Sequence, residues 1–326
     1  DGFADIEVAA TDFAAESVTK PLGDILSVDN TPPSFTNVVA TPTTAKDGTV
    51  ITLSFDASEA LYSLPLVVTY GNGLFALQSS SGNSYVYTYT VGAAESEGPV
   101  SVLIEGYDIL VHQRRATFTG VFAVDRTAPV LSNLTATPAA AKEGAVVTVG
   151  FDASEELASG AGASVNGHAS VPQEKNGLSY TFAYTVQAGD PEGPATVAVQ
   201  GTDPAGNPVS ASSGAILTVD KTAPGGSLTI NRGVSSTNSA TASLTLSCDD
   251  HGGTGVSLMR LGTDGVSWTP WEAFATAKSF ALPTGDGVKT VYAQYSDKAG
   301  NVSSETISDT VFYDTTPCTG SIVINN

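Results

Sequence analysis

Short runs of alternating apolar and polar residues follow one another along the chain and predict β-strands with one buried face. One such run occurs three times, and its inward-facing residues are Ile51, Leu53 and Phe55, then Val147, Val149 and Phe151, then Leu244, Leu246 and Cys248. We interpret it as the second strand, B, of three similar domains. This alignment predicts that Cys248 takes the position of Phe55 and Phe151.

Later runs supply two more strands for each domain. Residues 84–89, 179–184 and 278–282 predict strand E, and strand F is predicted around Val102 and Ile104, Val197 and Val199, and Val291 and Ala293. No segment has helical periodicity over a useful length. The pattern therefore predicts an all-β protein.

A motif of the form Asp-x-Thr-(Ala/Pro)-Pro divides the chain. It occupies residues 29–33, 125–129 and 220–224, with a variant at 314–317, so its aspartates are 96, 95 and 94 positions apart. A period of about 100 residues filled with short strands is typical of tandem β-sandwiches. We therefore predict immunoglobulin-like β-sandwiches arranged in an extended rod.

The motif also sets the predicted boundaries. Whole domains are expected at 29–124, 125–219 and 220–313, the last being divergent. Residues 4–33 align with 195–224, so 1–28 are expected to be strands F and G of a severed preceding repeat. Residues 320–325 match 226–231, so 314–326 are expected to be a linker and the first strand of a following repeat. We expect both ends to pair with parts of a longer polypeptide or with neighbouring copies.

Composition narrows the classes of function. The net charge is -20, with 13 Lys and Arg against 33 Asp and Glu, so nucleic acid would be repelled. No apolar run of about 18 residues occurs, and no basic-then-apolar segment begins the chain, so we expect no membrane span and no export signal in these residues. With 41% hydrophobic and 14% charged residues, the composition indicates a folded protein.

The chain resembles the bacterial immunoglobulin-like (Big-type) repeat domains of large bacterial surface or secreted proteins. The resemblance rests on the Asp-x-Thr-Ala-Pro junctions, on Phe-Asp-Ala-Ser-Glu at 55–59 and 151–155, and on Asp-x-Ala-Gly-Asn at 203–207 and 297–301. The Ala-Gly-Asn turn is absent after Asp108 in the first repeat. The resemblance implies a structural segment, such as a stalk, adhesin shaft or fibre, at the bacterial cell surface or outside the cell. Its partners would be neighbouring repeats or copies, with surface glycans or receptors as further candidates.

Acidic residues concentrate where two such domains would meet. In an immunoglobulin-like topology the B–C and F–G loops lie at the end where the chain enters a domain, while the E–F loop lies where it leaves. The predicted oxygen ligands are Glu97, Asp125, Asp152, Glu155, Asp203 and Asn207 at one junction and Glu192, Asp220, Asp249, Asp250, Asp297 and Asn301 at the next. A weaker set, Asp29, Asp56, Glu59 and Asp108, lies at the first junction.

Converging oxygen ligands suit Ca²⁺, which takes six to eight of them. The alternative is that these aspartates close turns through their own backbone and keep an acidic surface soluble. Both interpretations remain open at the level of the sequence.

Catalysis finds no support. His112, His168 and His251 stand in no metal-binding spacing, and neither a Gly-x-Ser-x-Gly motif nor a phosphate-binding glycine loop occurs. We therefore predict a protein that is not an enzyme and needs no organic cofactor. A further possible role for the chain is that of a self-assembling filament or sheath subunit.

The tryptophans and cysteines offer minor alternatives. Trp268 and Trp271 could form a platform for a sugar ring, as in a carbohydrate-binding accessory region of a secreted enzyme, or could pack on the sandwich. Cys248 and Cys318 are predicted to lie in different domains, too far apart for a disulfide.

Overall fold

The computed structural model describes residues 2–15, 17–158, 160–304 and 307–323. Over these residues the protein is all-β, as the sequence predicts, with a single 3-10 turn at Asn231–Gly233 and no α-helix. None of the described residues form a helix long and apolar enough to cross a membrane. The chain falls into two compact units. The first comprises Asp1–Pro129, Leu157–Ser159 and Thr202–Pro208, and the second comprises the rest.

The chain begins with an antiparallel pair of strands, β1 (Gly2–Thr11) and β2 (Ser17–Val28). The turn between them is closed by Asp12, whose Oδ1 accepts a hydrogen bond from the Ala14 N–H at 2.8 Å. The assignment of these strands to a severed earlier repeat stays a prediction.

The first sandwich follows. Its strands are β3 (Phe35–Thr41), β4 (Thr44–Ala45), β5 (Val50–Ala57), β6 (Leu66–Thr69), β7 (Ala76–Ser81), β8 (Ser84–Thr90), β9 (Gly98–Tyr107) and β10 (Gln113–Val124). They form two sheets with the orders β3-β5-β8-β7 and β4-β10-β9-β6. These are the A-B-E-D and A′-G-F-C sheets of an immunoglobulin-like sandwich. Phe55 stacks between the sheets on Tyr85 and Tyr87, at ring-centroid distances of 5.4 and 5.8 Å.

The second sandwich repeats this plan. Its strands are β11 (Leu131–Thr137), β12 (Ala140–Ala141), β13 (Val146–Ala153), β14 (Gly162–Val165), β15 (His168–Ala169), β16 (Val171–Asn176), β17 (Ser179–Thr185), β18 (Gly193–Pro194), β19 (Val197–Thr202), β20 (Pro208–Ser213) and β21 (Thr218–Val219). The sheet orders are β11-β13-β17-β16, β15-β14-β19-β20 and β12-β21-β18. Phe151 stacks on Tyr180 and Phe182, as Phe55 does on its own neighbours.

The third sandwich contains β22 (Gly225–Ile230), β23 (Ser236–Thr237), β24 (Thr241–Asp249), β25 (Val256–Gly262), β26 (Glu272–Ala273), β27 (Ala277–Ala281), β28 (Gly287–Asp297) and β29 (Ile307–Tyr313). Its sheets have the orders β22-β24-β27 and β23-β29-β28-β25-β26. The predicted strands B, E and F of this domain are therefore β24, β27 and β28.

The position predicted for Cys248 is wrong by two residues. Cys248 pairs with Gly226 on strand A, as Ala57 pairs with Phe35 in the first sandwich, so Cys248 corresponds to Ala57 and not to Phe55. A shift of two keeps the same face of a strand, which is why alternation alone did not reveal it. Burial, reinforced by the neighbouring charges of Asp250 and Asp249, raises the pKa of the Cys248 thiol to about 11.

The shift accompanies an exchange of aromatic side chains across the core. In the first sandwich the Phe35 ring on strand A lies over Gly106 on strand F, where an added Cβ would be 3.0 Å from the ring. In the third sandwich the aromatic residue is Tyr295 on strand F, and glycine stands on strand A at position 226, where a Cβ would be 2.7 Å from the ring. One aromatic ring therefore fills this part of the core in both the first and the third sandwich. The ring comes from strand A in the first sandwich and from strand F, in the opposite sheet, in the third.

Each linker aspartate directly follows a strand. β2, β10, β21 and β29 end at Val28, Val124, Val219 and Tyr313, immediately before Asp29, Asp125, Asp220 and Asp314. The described residues 314–323 contain no strand, and the first strand of a following repeat expected near 320–325 stays a prediction. Residues 324–326 lie outside the described chain.

Candidate metal centres

Carboxylates gather where the linker meets the loops of the following sandwich. Two groups lie within a single unit, and in each the three residues offer oxygens within 4.8 Å of one another: Asp29, Glu59 and Asp108, and Asp220, Asp250 and Asp297. Each group combines an aspartate of the linker, an acidic residue of the B–C loop and an aspartate of the F–G loop. The B–C loop residue, Glu59 or Asp250, stands two positions after the last inward-facing residue of strand B. We name the two groups the first and third centres. The corresponding residues of the intermediate repeat are Asp125, Glu155 and Asp203.

The F–G loop aspartate is held by an asparagine four residues later. Asp297 accepts hydrogen bonds from the Asn301 backbone N–H at 2.8 Å and from its Nδ2 at 2.7 Å. The same Nδ2 donates to the backbone oxygen of Asp220 at 2.9 Å. Through these donors Asn301 positions the aspartate and the linker, and its predicted role as an oxygen ligand stays a prediction.

Asn207 makes the same contacts, and its role as a ligand likewise stays a prediction. Its Nδ2 donates to the Asp203 carboxylate at 2.8 Å and to the backbone oxygen of Asp125 at 3.0 Å. The repeated geometry shows that the Asp-x-Ala-Gly-Asn turn ties the loop to the linker before it.

The first centre replaces this asparagine by His112. Asp108 Oδ1 accepts the backbone N–H of His112 at 2.9 Å, and Asp108 Oδ2 lies 2.7 Å from His112 Nδ1. Burial opposes ionisation of Asp108, but the hydrogen bonds from His112 and from the Leu110 N–H outweigh it and lower the pKa of the carboxyl. The loop after Asp108 lacks the Ala-Gly-Asn turn but keeps the spacing of four residues between the aspartate and its partner, a signal that was available in the sequence.

The third centre is the most deeply buried. Asp220, Asp250 and Asp297 are only 2%, 5% and 2% exposed. Asp220 Oδ2 accepts hydrogen bonds from the Thr254 backbone N–H at 2.6 Å and from its hydroxyl at 2.7 Å. Thr254 was not foreseen, because no motif marks it. Its two donors fix the linker carboxylate against the B–C loop.

One oxygen of the third centre has no partner. Asp250 Oδ2 accepts the Gly255 N–H at 2.6 Å, whereas Asp250 Oδ1 is buried without any hydrogen bond. Burial raises the pKa of Asp250, and the charges of Asp220, Asp297 and Asp249 raise it further, against the Gly255 hydrogen bond. A buried carboxylate oxygen without a hydrogen-bond donor destabilises the folded protein. Binding of a proton or a cation by Asp250 would therefore be stabilising.

The first centre shows the same electrostatic pattern at lower burial. Burial raises the pKa of Glu59, and the nearby charges of Asp29 and Asp108 add to it, against a smaller opposing effect of His112. Three negative groups therefore share a small volume there as well.

Glu97 and Glu192 are not members of the carboxylate groups named above, and their role as ligands stays a prediction. Glu97 accepts a hydrogen bond from the Thr127 hydroxyl at 2.6 Å, and Glu192 accepts one from the Thr222 hydroxyl at 2.9 Å. Both threonines belong to the Asp-x-Thr-Ala-Pro motif. The E–F loop carboxylates therefore hold the linker where it leaves each sandwich.

Asp152 and Asp249 also lie apart from the described clusters. Asp152 accepts hydrogen bonds from Asn133 Nδ2 at 2.7 Å and from the Ser179 hydroxyl at 2.5 Å, and it thereby supports a bulge at which Asn133 has a φ of 53°. Asp56 makes the equivalent contacts in the first sandwich. Asp249 is exposed beside His251. Alternation along strand B sends these residues outward, away from the centres.

Lysines add a second tie between repeats. Lys142 Nζ donates to the backbone oxygen of Gly300 at 2.7 Å, and Lys46 Nζ donates to the backbone oxygen of Gly206. Each lysine follows the short A′ strand, and each glycine belongs to the turn of the next F–G loop. The equivalent residue in the third repeat is Asn238.

An arginine lies over one face of each tryptophan ring. The Arg260 guanidinium carbon lies 5.1 Å from the Trp268 ring and 4.5 Å from the Trp271 ring, and Gln294 Oε1 accepts hydrogen bonds from Arg260 at 2.8 and 2.6 Å. The arginine therefore occupies one face of each ring, and the carbohydrate interpretation stays a prediction.

Comparison with protein-family models gives no match, and comparison with curated proteins gives none either. Among solved structures, the chain is similar to a 1.5-MDa bacterial ice-binding adhesin (16% identity, 87% of this chain and 98% of that one, TM-score 0.40). It is also similar to a Ca²⁺-stabilised adhesin of an Antarctic bacterium (15%, 95% and 81%, 0.39) and to a titin I-band fragment (10%, 87% and 98%, 0.36). Because all three TM-scores are below 0.5, the fold assignment rests on the sheets described above.

Replacing Asn301 by alanine tests the tie between loop and linker. We expect Asn301→Ala to lower the free energy of unfolding of the third sandwich by about 2 kcal/mol, since it leaves a buried carboxylate oxygen and a backbone oxygen unpaired. Both tryptophans of the chain lie in this sandwich, so urea unfolding followed by tryptophan fluorescence reports on it. The exposed Asn238→Ala is the matched control and should change stability by less than about 0.5 kcal/mol. Equal effects of the two substitutions would contradict the assignment.

Proposed function

We propose that this chain is a structural, non-catalytic segment of a bacterial surface or secreted repeat protein, and that its carboxylate centres bind Ca²⁺. The role of such a segment is to carry other parts of its protein at a distance from the cell. The observation that carries the calcium proposal is the unpartnered, buried Asp250 Oδ1 between two further buried aspartates.

The ligand types favour calcium over other common ions. Every candidate ligand is a carboxylate, which suits hard cations, and the third centre contains neither histidine nor cysteine. The carboxylates come from a linker and two loops, and Ca²⁺ tolerates such irregular geometry better than Mg²⁺ does. Asp220, Asp250 and Asp297 would hold the ion in the third centre, with backbone oxygens or water completing its coordination.

A bound cation would join the linker to the sandwich that follows. Asp220 belongs to the segment between β21 and β22, whereas Asp250 and Asp297 belong to loops of the third sandwich. Coordination would add to the ties made by Asn301 and Thr254, and it would remove the repulsion among three buried charges. We expect scattering curves measured with calcium and with chelator to differ, with less bending in calcium.

The test measures how calcium changes the stability of the third sandwich in the wild type and in one variant. The effect of that substitution on stability should have opposite signs in calcium and in chelator. At calcium a hundredfold above its Kd, the third sandwich should gain about 2.7 kcal/mol, measured by tryptophan fluorescence in urea with and without chelator. Asp250→Asn should abolish that gain. In chelator the same variant should be more stable than the wild type, because it removes a buried charge that two neighbours repel.

Asp249→Asn provides the matched control. It removes the same charge one residue away, at an exposed position outside the centre. It should retain the calcium gain and change the stability in chelator little. Identical unfolding curves for the wild type with and without calcium would overturn the calcium proposal.

A further inference from the structure

The outer face of β6 in the first sandwich carries large apolar side chains. Over residues 65–70 buried residues alternate with exposed or half-buried ones, and further exposed apolar residues lie on either side of this segment. We name the following set the apolar ridge: Tyr62, Leu64, Leu66, Val68, Tyr70 and Leu74. Tyr62, Tyr70 and Leu74 are 69%, 83% and 65% exposed. Leu74 and Leu103 lie on either side of Val68 in the sheet, so these three side chains are neighbours on one face.

The second sandwich shows that the fold does not need this ridge. Leu66, Val68 and Leu74 correspond by strand register to Gly162, Ser164 and Ala169. There the small residues line an open groove of about 670 Å³, and the same sheet forms nevertheless. Large apolar side chains that are dispensable for the sheet and face water point to an interaction surface.

The third sandwich covers the same positions with its own side chains. Leu66 and Leu74 correspond there to Arg260 and Trp268, and the Arg260 guanidinium stacks on Trp268 and Trp271. Among the three sandwiches as described, the first is therefore the one whose apolar side chains at these positions remain uncovered.

We propose that the apolar ridge is a self-association surface, on which the first sandwiches of two copies of this chain pack face to face. The exposed parts of two tyrosines and three leucines amount to roughly 600 Å² per copy, so a pair buries roughly 1,200 Å², the lower limit of specific interfaces. The contact is isologous, because the same surface serves both copies.

The ridge is the surface on which charge opposes a second copy least. The chain carries a net charge of -20, so two copies repel each other over most of their surface. The ridge itself contains no charged residue, and Glu105, which lies across the sheet from Leu66, is paired with Arg115 at 3.0 Å. Two copies can therefore meet on the ridge without bringing like charges together there. Added salt should strengthen the contact, because it screens the repulsion between the acidic surfaces around the ridge.

Sedimentation equilibrium of the full chain, over a concentration series at low and at high salt, tests the proposal. We expect a reversible dimer that tightens with salt. Leu66→Asp combined with Leu74→Asp should weaken dimerisation by more than roughly tenfold, because both copies place unpaired charges in the contact. The control is the pair Val171→Asp and Val130→Asp, which adds the same charge at exposed positions of the second sandwich and should leave the dimer intact.

Circular dichroism establishes that each variant is folded. A wild type that stays monomeric throughout the series, or equal dissociation constants for ridge and control variants, would overturn the proposal. A gain-of-function variant keeps the test independent of any loss of folding. Introducing Gly162→Leu, Ser164→Val and Ala169→Leu into the second sandwich should create a second contact and produce species larger than dimers.

Discussion

Tyr295→Ala is expected to lower the free energy of unfolding of the third sandwich by about 3–5 kcal/mol, the usual cost of removing a large aromatic side chain from a packed core. Tyr295 is fully buried, its ring meets Phe274 edge-on at 5.6 Å, and its hydroxyl donates to the Ser227 backbone oxygen at 2.9 Å. Urea unfolding followed by tryptophan fluorescence measures the loss.

Two variants separate the contributions at this position. Tyr295→Phe keeps the ring and removes only the hydroxyl, so it should cost about 1 kcal/mol. Tyr292→Ala removes a half-buried tyrosine from the opposite face of the same strand and should cost much less than Tyr295→Ala. Similar losses for Tyr292 and Tyr295 would show that the core of this sandwich is not organised around Tyr295.

Gly226→Ala is expected to cost about 3 kcal/mol, at the upper end for overpacking by one methyl group. The added Cβ would lie 2.3 Å from the Ser247 backbone oxygen and 2.7 Å from the Tyr295 ring, so strand A must move. The control is the adjacent Gly225→Ala, whose Cβ meets only the His251 side chain at 3.2 Å, and the largely exposed His251 can turn away. If both substitutions were tolerated equally, the close approach of strand A to Tyr295 would be refuted.

The strand pattern was predictable because alternation reports directly on burial. The runs containing Phe55 and Phe151 form strand B with the expected face inward. The third domain was predicted with strand B two residues out of place. Its large aromatic residue comes from strand F at Tyr295, so strand B offered no Phe to anchor the alignment.

The candidate site was predictable in part for a related reason. Asp220, Asp250 and Asp297 were expected to converge because loop positions follow from the topology, and the structure brings their carboxylates together. Glu97 and Glu192 were assigned with them, since sequence position does not show that a nearby threonine already engages each carboxylate. The donor role of Asn301 depends on which atom of its amide faces the linker, which only the structure shows.

The placement of Asp220 has a mechanical consequence. A pulling force on the chain acts through the linker that carries Asp220, whereas Asp250 and Asp297 remain with the sandwich. Under the proposed coordination, drawing the linker away separates one ligand from the other two, so tension weakens calcium binding. By thermodynamic reciprocity, calcium opposes extension of the linker to the same extent. The calcium concentration around the protein would then set the load at which this linker begins to lengthen.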